Sequence, residues 1–191
     1  MRKETLKRKR PSRQEVVRTP EELSRRLFRQ AAESPDAWRM TADSLMRAAR
    51  ALVPLIDADT HAALDPSPST FDDPVFPVYM LLAGFAIENL AKAKLVAGGS
   101  FPATVGDDLA PELKSHKLLN LLHQAELTLS DEESYLAQRL QAFVEWGGRY
   151  PIPAKLEGQL PRTHPLGGWG PLNHFLRSDP AAIEALAAKV I

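Results

Sequence analysis

The sequence predicts an all-α fold, an antiparallel helical bundle with two extra N-terminal helices. Apolar residues recur at steps of three and four between Trp38 and Ile56, as on one face of a helix. Helix-start signals precede several such stretches, and no stretch alternates apolar and polar residues as a half-buried strand would. The 191 residues suffice for one well-buried core but are few for two domains. We therefore predict a basic disordered arm at residues 1–18 and a single helical domain at residues 19–191.

The two N-terminal helices are predicted from their start signals. Thr19-Pro20-Glu21-Glu22 combines a capping hydroxyl, a Pro at the first helical position and a Glu that can complete a capping box, so a helix should run to about Glu33. Ser34-Pro35-Asp36 repeats the signal ahead of the stripe from Trp38 to Ile56. Asp57 to Asp73 contains two prolines and several small polar residues, which predicts a surface loop.

The central helix is predicted at residues 77–99, which are apolar on most of the helical circumference and end in Gly98-Gly99. It should be the most buried helix of the fold. A third core helix is expected from Leu113 to Leu127. A fourth follows the capping box that begins at Ser130 and is stopped by Gly147-Gly148.

The C-terminal part of the chain is predicted to be irregular. Ile152 to Arg177 is rich in Pro and Gly and has no apolar periodicity, which indicates a long loop. Asp179-Pro180 then starts a short terminal helix. His164 and His174 lie in this loop, and the sequence does not place them relative to the core.

Composition excludes several classes of site. The chain has no cysteine, so disulfides, thiolate metal sites and cysteine nucleophiles are ruled out. No Gly-rich phosphate loop and no His/Glu cluster at metal-ligand spacing occurs, so we expect neither a metal nor a cofactor. The N-terminus is charged where a secretory signal would be apolar, and the longest uncharged apolar run, Tyr79 to Ile87, is too short to span a bilayer. A cytoplasmic protein without membrane contact is expected.

The charge is strongly asymmetric although the formal net charge is zero. Residues 1–30 hold 11 Lys and Arg against 4 Asp and Glu, net +7, which leaves −7 on residues 31–191. A basic arm can neutralise nucleic-acid phosphates, but it can equally lie against the acidic body or serve solubility.

Three motifs occur in order within residues 77–151. Glu88 and Lys92 stand four apart on the apolar central helix, His116-Lys117-Leu118-Leu119-Asn120-Leu121-Leu122 opens the next helix, and Arg149-Tyr150-Pro151 closes the last. This succession resembles the HEPN family of helical proteins found in bacterial toxin–antitoxin, abortive-infection and nucleotidyltransferase-linked systems. The resemblance covers about two fifths of the chain.

The resemblance implies an RNA-linked function. HEPN ribonucleases use an Arg followed four to six residues later by a His, commonly paired across a homodimer. In that chemistry the His is the base and the Arg stabilises the developing phosphorane. Arg149 matches the arginine, but no His occurs from Tyr150 to Leu156, and only the cation Lys155 falls in the window. The resemblance therefore implies an RNA- or nucleotide-binding module with a degenerate ribonuclease site, a homodimer, and a cognate protein partner.

The candidate catalytic residues are Arg149 and His116. The candidate substrate-binding residues are Lys155, Tyr150, Glu88 and Lys92. Because Glu88 follows an almost wholly apolar stretch, we expect it to be partly buried and to need a cationic partner, for which we predict Arg149. The alternative for Glu88 and Lys92 is an ordinary i,i+4 pair on a helix surface.

Two other functions stay open. The chain can be a non-catalytic dimerisation or interaction protein with a basic arm. It can also be an active metal-independent endoribonuclease in which His116 or His123 replaces the missing base.

Overall fold

The computed structural model describes residues 19–62, 75–150, 152–165 and 167–191, and this part of the chain is mostly helical. The helices are α1 (Pro20–Ala32), α2 (Pro35–Ala62), α3 (Phe76–Gly98), α4 (Pro111–Lys114), α5 (Leu118–Gln124), α6 (Asp131–Ala142) and α7 (Asp179–Val190). A π-helical turn, Phe143–Gly147, extends α6, and a short 3-10 helix spans Leu156–Gln159. The prediction of an all-α protein is confirmed at this coarse level.

Two minimal sheets interrupt the helices. β1 (Thr104–Val105) pairs antiparallel with β2 (Asp108–Leu109), and β3 (Arg162–Thr163) pairs antiparallel with β4 (Trp169–Gly170). Each strand has only two residues, too few for an alternating pattern to be visible in the sequence. The expectation that the segment from Ile152 to Arg177 holds no regular element is therefore corrected, since it contains a 3-10 helix and a two-residue β-ladder.

Helix α3 lies at the centre of the fold. It is apolar around its circumference and packs against α2, α5, α6, α7 and the π-helical turn. Twelve of its residues are buried, more than in any other helix that the structure describes, which confirms the prediction of a central helix. It ends at Gly98, and the capping residue Gly99 has a φ of 62°, the left-handed conformation that a glycine adopts at low cost.

Both capping boxes are present as predicted. The Thr19 hydroxyl accepts from the amide of Glu22, and the Glu22 carboxylate accepts from the amide of Thr19. Ser130 and Glu133 make the same pair of bonds at the start of α6. Because these bonds join residues three apart, they are determined locally and are visible in the sequence.

The predicted loop from Asp57 to Asp73 begins later than expected. Helix α2 contains Pro54 and continues to Ala62. The prolines that argue for a loop begin only at Pro66, so nothing of that kind stops the helix at Asp57. Residues 63–74 lie outside the described part of the chain, as does the basic arm predicted at residues 1–18.

The third core helix, predicted from Leu113 to Leu127, is broken into α4 and α5. Ser115 is extended, with φ −69° and ψ 142°, and its hydroxyl accepts from the amide of Lys117. This local bond offers the backbone an alternative to the helical hydrogen bond. The break places His116 between two helices, beside α3.

Among the described residues, no helix combines the length and the apolar character needed to span a membrane.

Candidate functional site

A buried carboxylate on α3 is the centre of the candidate site. Glu88 has a side chain that is 3% exposed, and its Oε1 accepts a 2.6 Å hydrogen bond from Lys92 Nζ. Both carboxylate oxygens also lie 3.1 Å from Nδ1 of His116. The Lys92 bond follows from the i,i+4 spacing on one helix, whereas the His116 contact depends on the break between α4 and α5.

Lys92 is a structural partner of this carboxylate. Its side chain is 5% exposed, and Nζ lies 5.7 Å from the centroid of the Trp38 ring, which covers it with a cation–π contact. The pair with Glu88 compensates both buried charges. Lys92 was predicted as a substrate-binding residue, and the structure places its ammonium in this buried contact.

His116 is held by Glu88 but remains accessible. Its side chain is 57% exposed, and its ring packs edge-on against Phe85 with centroids 6.1 Å apart. Because an ionised carboxylate can only accept hydrogen bonds, it fixes the proton of the neutral imidazole on Nδ1 and leaves the lone pair on Nε2. A carboxylate-oriented histidine of this kind can accept a proton from a bound hydroxyl or hold a phosphate oxygen when it is charged.

Arg149 is not the partner of Glu88, and that prediction is wrong. Its guanidinium donates a 2.5 Å hydrogen bond to the backbone oxygen of Glu145 and lies 5.4 Å from the Tyr150 ring centroid. The reason is geometric. Gly148 packs so closely on Leu81 that an added Cβ would clash with that side chain. The turn that carries Arg149 therefore lies against the first half of α3. Leu81 is about 10 Å from Glu88 along the helix axis.

Glu145 nevertheless joins Arg149 to Lys117, the neighbour of His116 in the chain. Its Oε1 accepts 2.7 Å and 3.0 Å hydrogen bonds from Lys117 Nζ and Gln141 Nε2, while its backbone oxygen accepts from Arg149. Lys117 directly follows His116 in the chain. We call His116, Lys117 and Arg149 the cationic face: all three residues are exposed, and the last two are joined through one acidic residue.

The other two candidates follow Arg149 along the chain. Tyr150 is 58% exposed and lies beneath the Arg149 guanidinium. Lys155 is exposed on the segment that leads into the 3-10 helix, where Gly158 packs closely on Pro153 and lies near the Trp146 indole. The structure therefore groups Glu88, Lys92 and His116 directly, and Lys155 makes none of these contacts.

A second buried polar cluster escaped the sequence reasoning. Arg139 of α6 is 1% exposed and forms a bidentate ion pair with Asp179 at the start of α7, at 2.8 and 2.5 Å. One feature of the sequence could have indicated that Arg139 is buried. This residue falls within the apolar stripe that also contains Leu136, Leu140 and Phe143. A cation in such a position must be buried with an acidic partner. The sequence does not show which acidic residue lies opposite Arg139, because this depends on how the helices pack.

Within the described ranges, no group of three or more His, Asp or Glu side chains could hold a metal ion. Comparison of the chain with protein-family models, with curated protein sequences and with solved structures returned no match.

Proposed function

We propose that this chain is a HEPN-like helical module of a bacterial defence or toxin–antitoxin system, acting in the cytoplasm, and that it binds RNA through the cationic face. The motif order within residues 77–151 suggests the family. The observation that carries the site is the Glu88–His116 contact, because it holds an exposed imidazole next to Lys117 in the chain.

Electrostatics favours an anionic ligand at this face. Arg149 forms no ion pair with any described residue, so its charge is available to a phosphate. Lys117 is neutralised only in part, because its partner Glu145 is itself partly exposed and hydrogen-bonded to Gln141. Arg149 also stacks on exposed Tyr150, a pair that offers a base both a guanidinium plane and an aromatic ring.

Binding with little or no cleavage is the form of the function that we favour. The stretch from Tyr150 to Leu156 lacks the histidine that HEPN ribonucleases place after their arginine. Lys155, in that window, is a donor that can hold a phosphate, since an ammonium has no acceptor for a proton. We further propose a homodimer and a cognate protein partner, as in the family that the motifs resemble.

The binding experiment compares two arginines. Labelled single-stranded RNA is titrated with the wild type, with Arg149→Ala and with the control Arg47→Ala, which removes an exposed arginine of α2 that pairs with no described residue. We expect Arg149→Ala to weaken binding about tenfold, since a charge-assisted contact contributes about 1.5–3 kcal/mol. The Arg47 variant should bind as the wild type. Equal affinities for all three proteins, or no RNA binding at low salt, would favour the non-catalytic interaction protein instead.

A second candidate, a metal-independent endoribonuclease, gains support from the same contact. With Nδ1 held by Glu88, Nε2 of His116 could take the proton of a ribose 2′-hydroxyl as that oxygen attacks the adjacent phosphorus. The P–O5′ bond would then break and the departing O5′ would take a proton from water, while His116 returns its own proton to solvent, leaving a 2′,3′-cyclic phosphate and a 5′-hydroxyl end. Lys117 and Arg149 would stabilise the charge on the phosphorane.

Product analysis separates the two candidates. Cleavage with 2′,3′-cyclic phosphate ends in the wild type, lost in His116→Ala and reduced in Glu88→Gln, supports the nuclease. His123→Ala removes the other histidine considered as the base, an exposed residue of α5, and cleavage lost in this variant alone would assign the base to His123. RNA that stays intact while it binds supports the binding module.

A further inference from the structure

Two histidines of the C-terminal segment contact the helical body. The C-terminal segment is defined here as residues 152–165 and 167–177. His164 packs edge-on against Tyr135 of α6 with ring centroids 4.8 Å apart, and His174 approaches the same ring at 6.1 Å. Tyr135 is buried, and its hydroxyl has no hydrogen-bond partner among the described residues. The contact of this ring with the segment is therefore aromatic packing between the two imidazoles.

The backbone around His174 is tied to the buried ion pair. Its carbonyl oxygen accepts from Arg139, whose guanidinium also holds Asp179. The Asp179 carboxylate in turn accepts a 2.7 Å hydrogen bond from the amide of Leu176. The ring of His174 donates from Nδ1 to the backbone oxygen of Pro171 at 2.6 Å, closing a local turn.

A positive charge on His174 fits this position badly. The charged groups that face it are Arg139 from α6, Asp179 from α7 and His164 from its own segment, and the carboxylate of Asp179 is already engaged by Arg139. Burial, the Arg139 charge and His164 lower the pKa of His174, against the opposing effects of the Pro171 hydrogen bond and Asp179. The folded arrangement therefore prefers the neutral imidazole.

We propose that His174 is a proton-operated latch: its neutral ring keeps the C-terminal segment on α6 and α7, and its protonation releases the segment. The C-terminal segment begins three residues after Arg149 in the chain and carries Lys155, so its release would move this lysine. The latch does not depend on what that face binds.

The direction of the effect follows from linkage. A histidine whose pKa is lower in the attached state binds its proton more readily in the detached state, so acidification favours detachment. Attachment is complete above the free-imidazole pKa of about 6.5 and weakens as the pH falls from there toward the pKa of attached His174. Each unit of pKa lowering corresponds to a tenfold change in the attachment equilibrium.

The test is an NMR titration of the full-length chain from about pH 7.5 to about pH 5. Heteronuclear NOE values of the amides at residues 167–177 should fall with acidification, and the Leu176 amide should lose its protection from exchange after correction for intrinsic rates. The amides of α3 should be unaffected. The Cε1–H resonance of His174 should titrate below pH 6.5, with the same midpoint as the loss of order.

Two variants make the test specific. In His174→Asn the side-chain amide can replace the Nδ1–H bond to Pro171 but cannot be protonated, so the segment should stay attached across the titration. The control His123→Asn should keep the wild-type transition. A wild-type segment that remains ordered at the lowest pH overturns the latch, whatever the variant does, and so does an unchanged transition in His174→Asn.

Discussion

At the scale of single residues, burial decides what a charge pair contributes. Glu88–Lys92 and Glu21–Arg25 have the same i,i+4 spacing, but the first pair is almost wholly buried and the second is exposed. Removing one partner of a buried pair leaves an uncompensated charge, which costs about 3–5 kcal/mol, whereas an exposed helical pair contributes about 0.2–0.5 kcal/mol.

We therefore expect Glu88→Leu to lower the free energy of unfolding by about 3 kcal/mol and Glu21→Gln by less than about 0.5 kcal/mol. The double variant Glu88→Leu/Lys92→Met should be more stable than Glu88→Leu alone, because it leaves no buried charge. Guanidinium unfolding monitored by circular dichroism measures these variants and the Lys92→Met single variant. A double variant that loses the sum of its two single losses would contradict this account.

The partner of Glu88 marks the limit of sequence reasoning for the site. Its burial and its bond to Lys92 could be anticipated, because both follow from its place on an apolar helix. The choice of His116 over Arg149 could not, since it depends on a break in the α4–α5 region and on where Gly148 crosses α3. The crossing is set by tertiary packing, and the break by a local hydrogen bond from the Lys117 amide to Ser115 that the apolar spacing does not reveal.

At the scale of elements, the same division holds between local and long-range features. The capping boxes and the glycine end of α3 were predicted because each depends on residues within a few positions of one another. The Arg139–Asp179 pair joins residues 40 positions apart, whose proximity no local pattern records.

The contact between α3 and α6 depends on a glycine. A Cβ added at Gly84 would lie 2.7 Å from a methyl of Val144 and 3.1 Å from the backbone oxygen of Leu140, so the helices must separate to admit it. We expect Gly84→Ala to destabilise the protein by about 1–3 kcal/mol in thermal or denaturant unfolding.

The matched control is Gly98→Ala, at the end of the same helix, where an added Cβ meets nothing within 4 Å. It should be neutral or stabilise by up to about 1 kcal/mol, because alanine favours the helix more than glycine does. Equal destabilisation by the two substitutions would show that the close approach at Gly84 is relieved without cost.

Two ion pairs, Lys189–Glu133 and Arg50–Glu184, join α7 to α6 and α2. They predict that the free energy of unfolding falls at low pH. The Lys189 hydrogen bond and the Ser130 backbone lower the pKa of Glu133, and the Arg50 hydrogen bond lowers the pKa of Glu184. A carboxyl with a lowered folded-state pKa stabilises the fold above its unfolded pKa of about 4.3, and this contribution is lost as the pH falls through the folded value.

The double variant Glu133→Gln/Glu184→Gln should therefore show a shallower fall of unfolding free energy below about pH 4.3 than the wild type. Denaturant unfolding at a series of pH values measures this slope. Lys189→Met/Arg50→Met removes the opposite partners and should flatten the same limb. If neither double variant changes the slope, these pairs do not couple to acid unfolding.

At the scale of the whole molecule, the charge asymmetry makes RNA binding testable by salt. Residues 1–18 carry 8 Lys and Arg against 2 Asp and Glu, whereas the cationic face contributes a small number of fixed cations. Each phosphate neutralised on a single strand adds about 0.7 to the slope of log affinity against log salt. Contacts of the arm and of the face are therefore separable by the size of this slope.

We expect deletion of residues 1–18 to reduce the salt slope of RNA binding by several phosphate contacts and Arg149→Ala to reduce it by about one. If the arm binds RNA independently of the face, the two changes should add in the combined variant, as they do for distant sites. Fluorescence anisotropy between about 50 and 200 mM salt gives the slopes. An unchanged slope after the deletion would assign RNA binding to the folded body and leave the arm to solubility or to contact with the acidic surface.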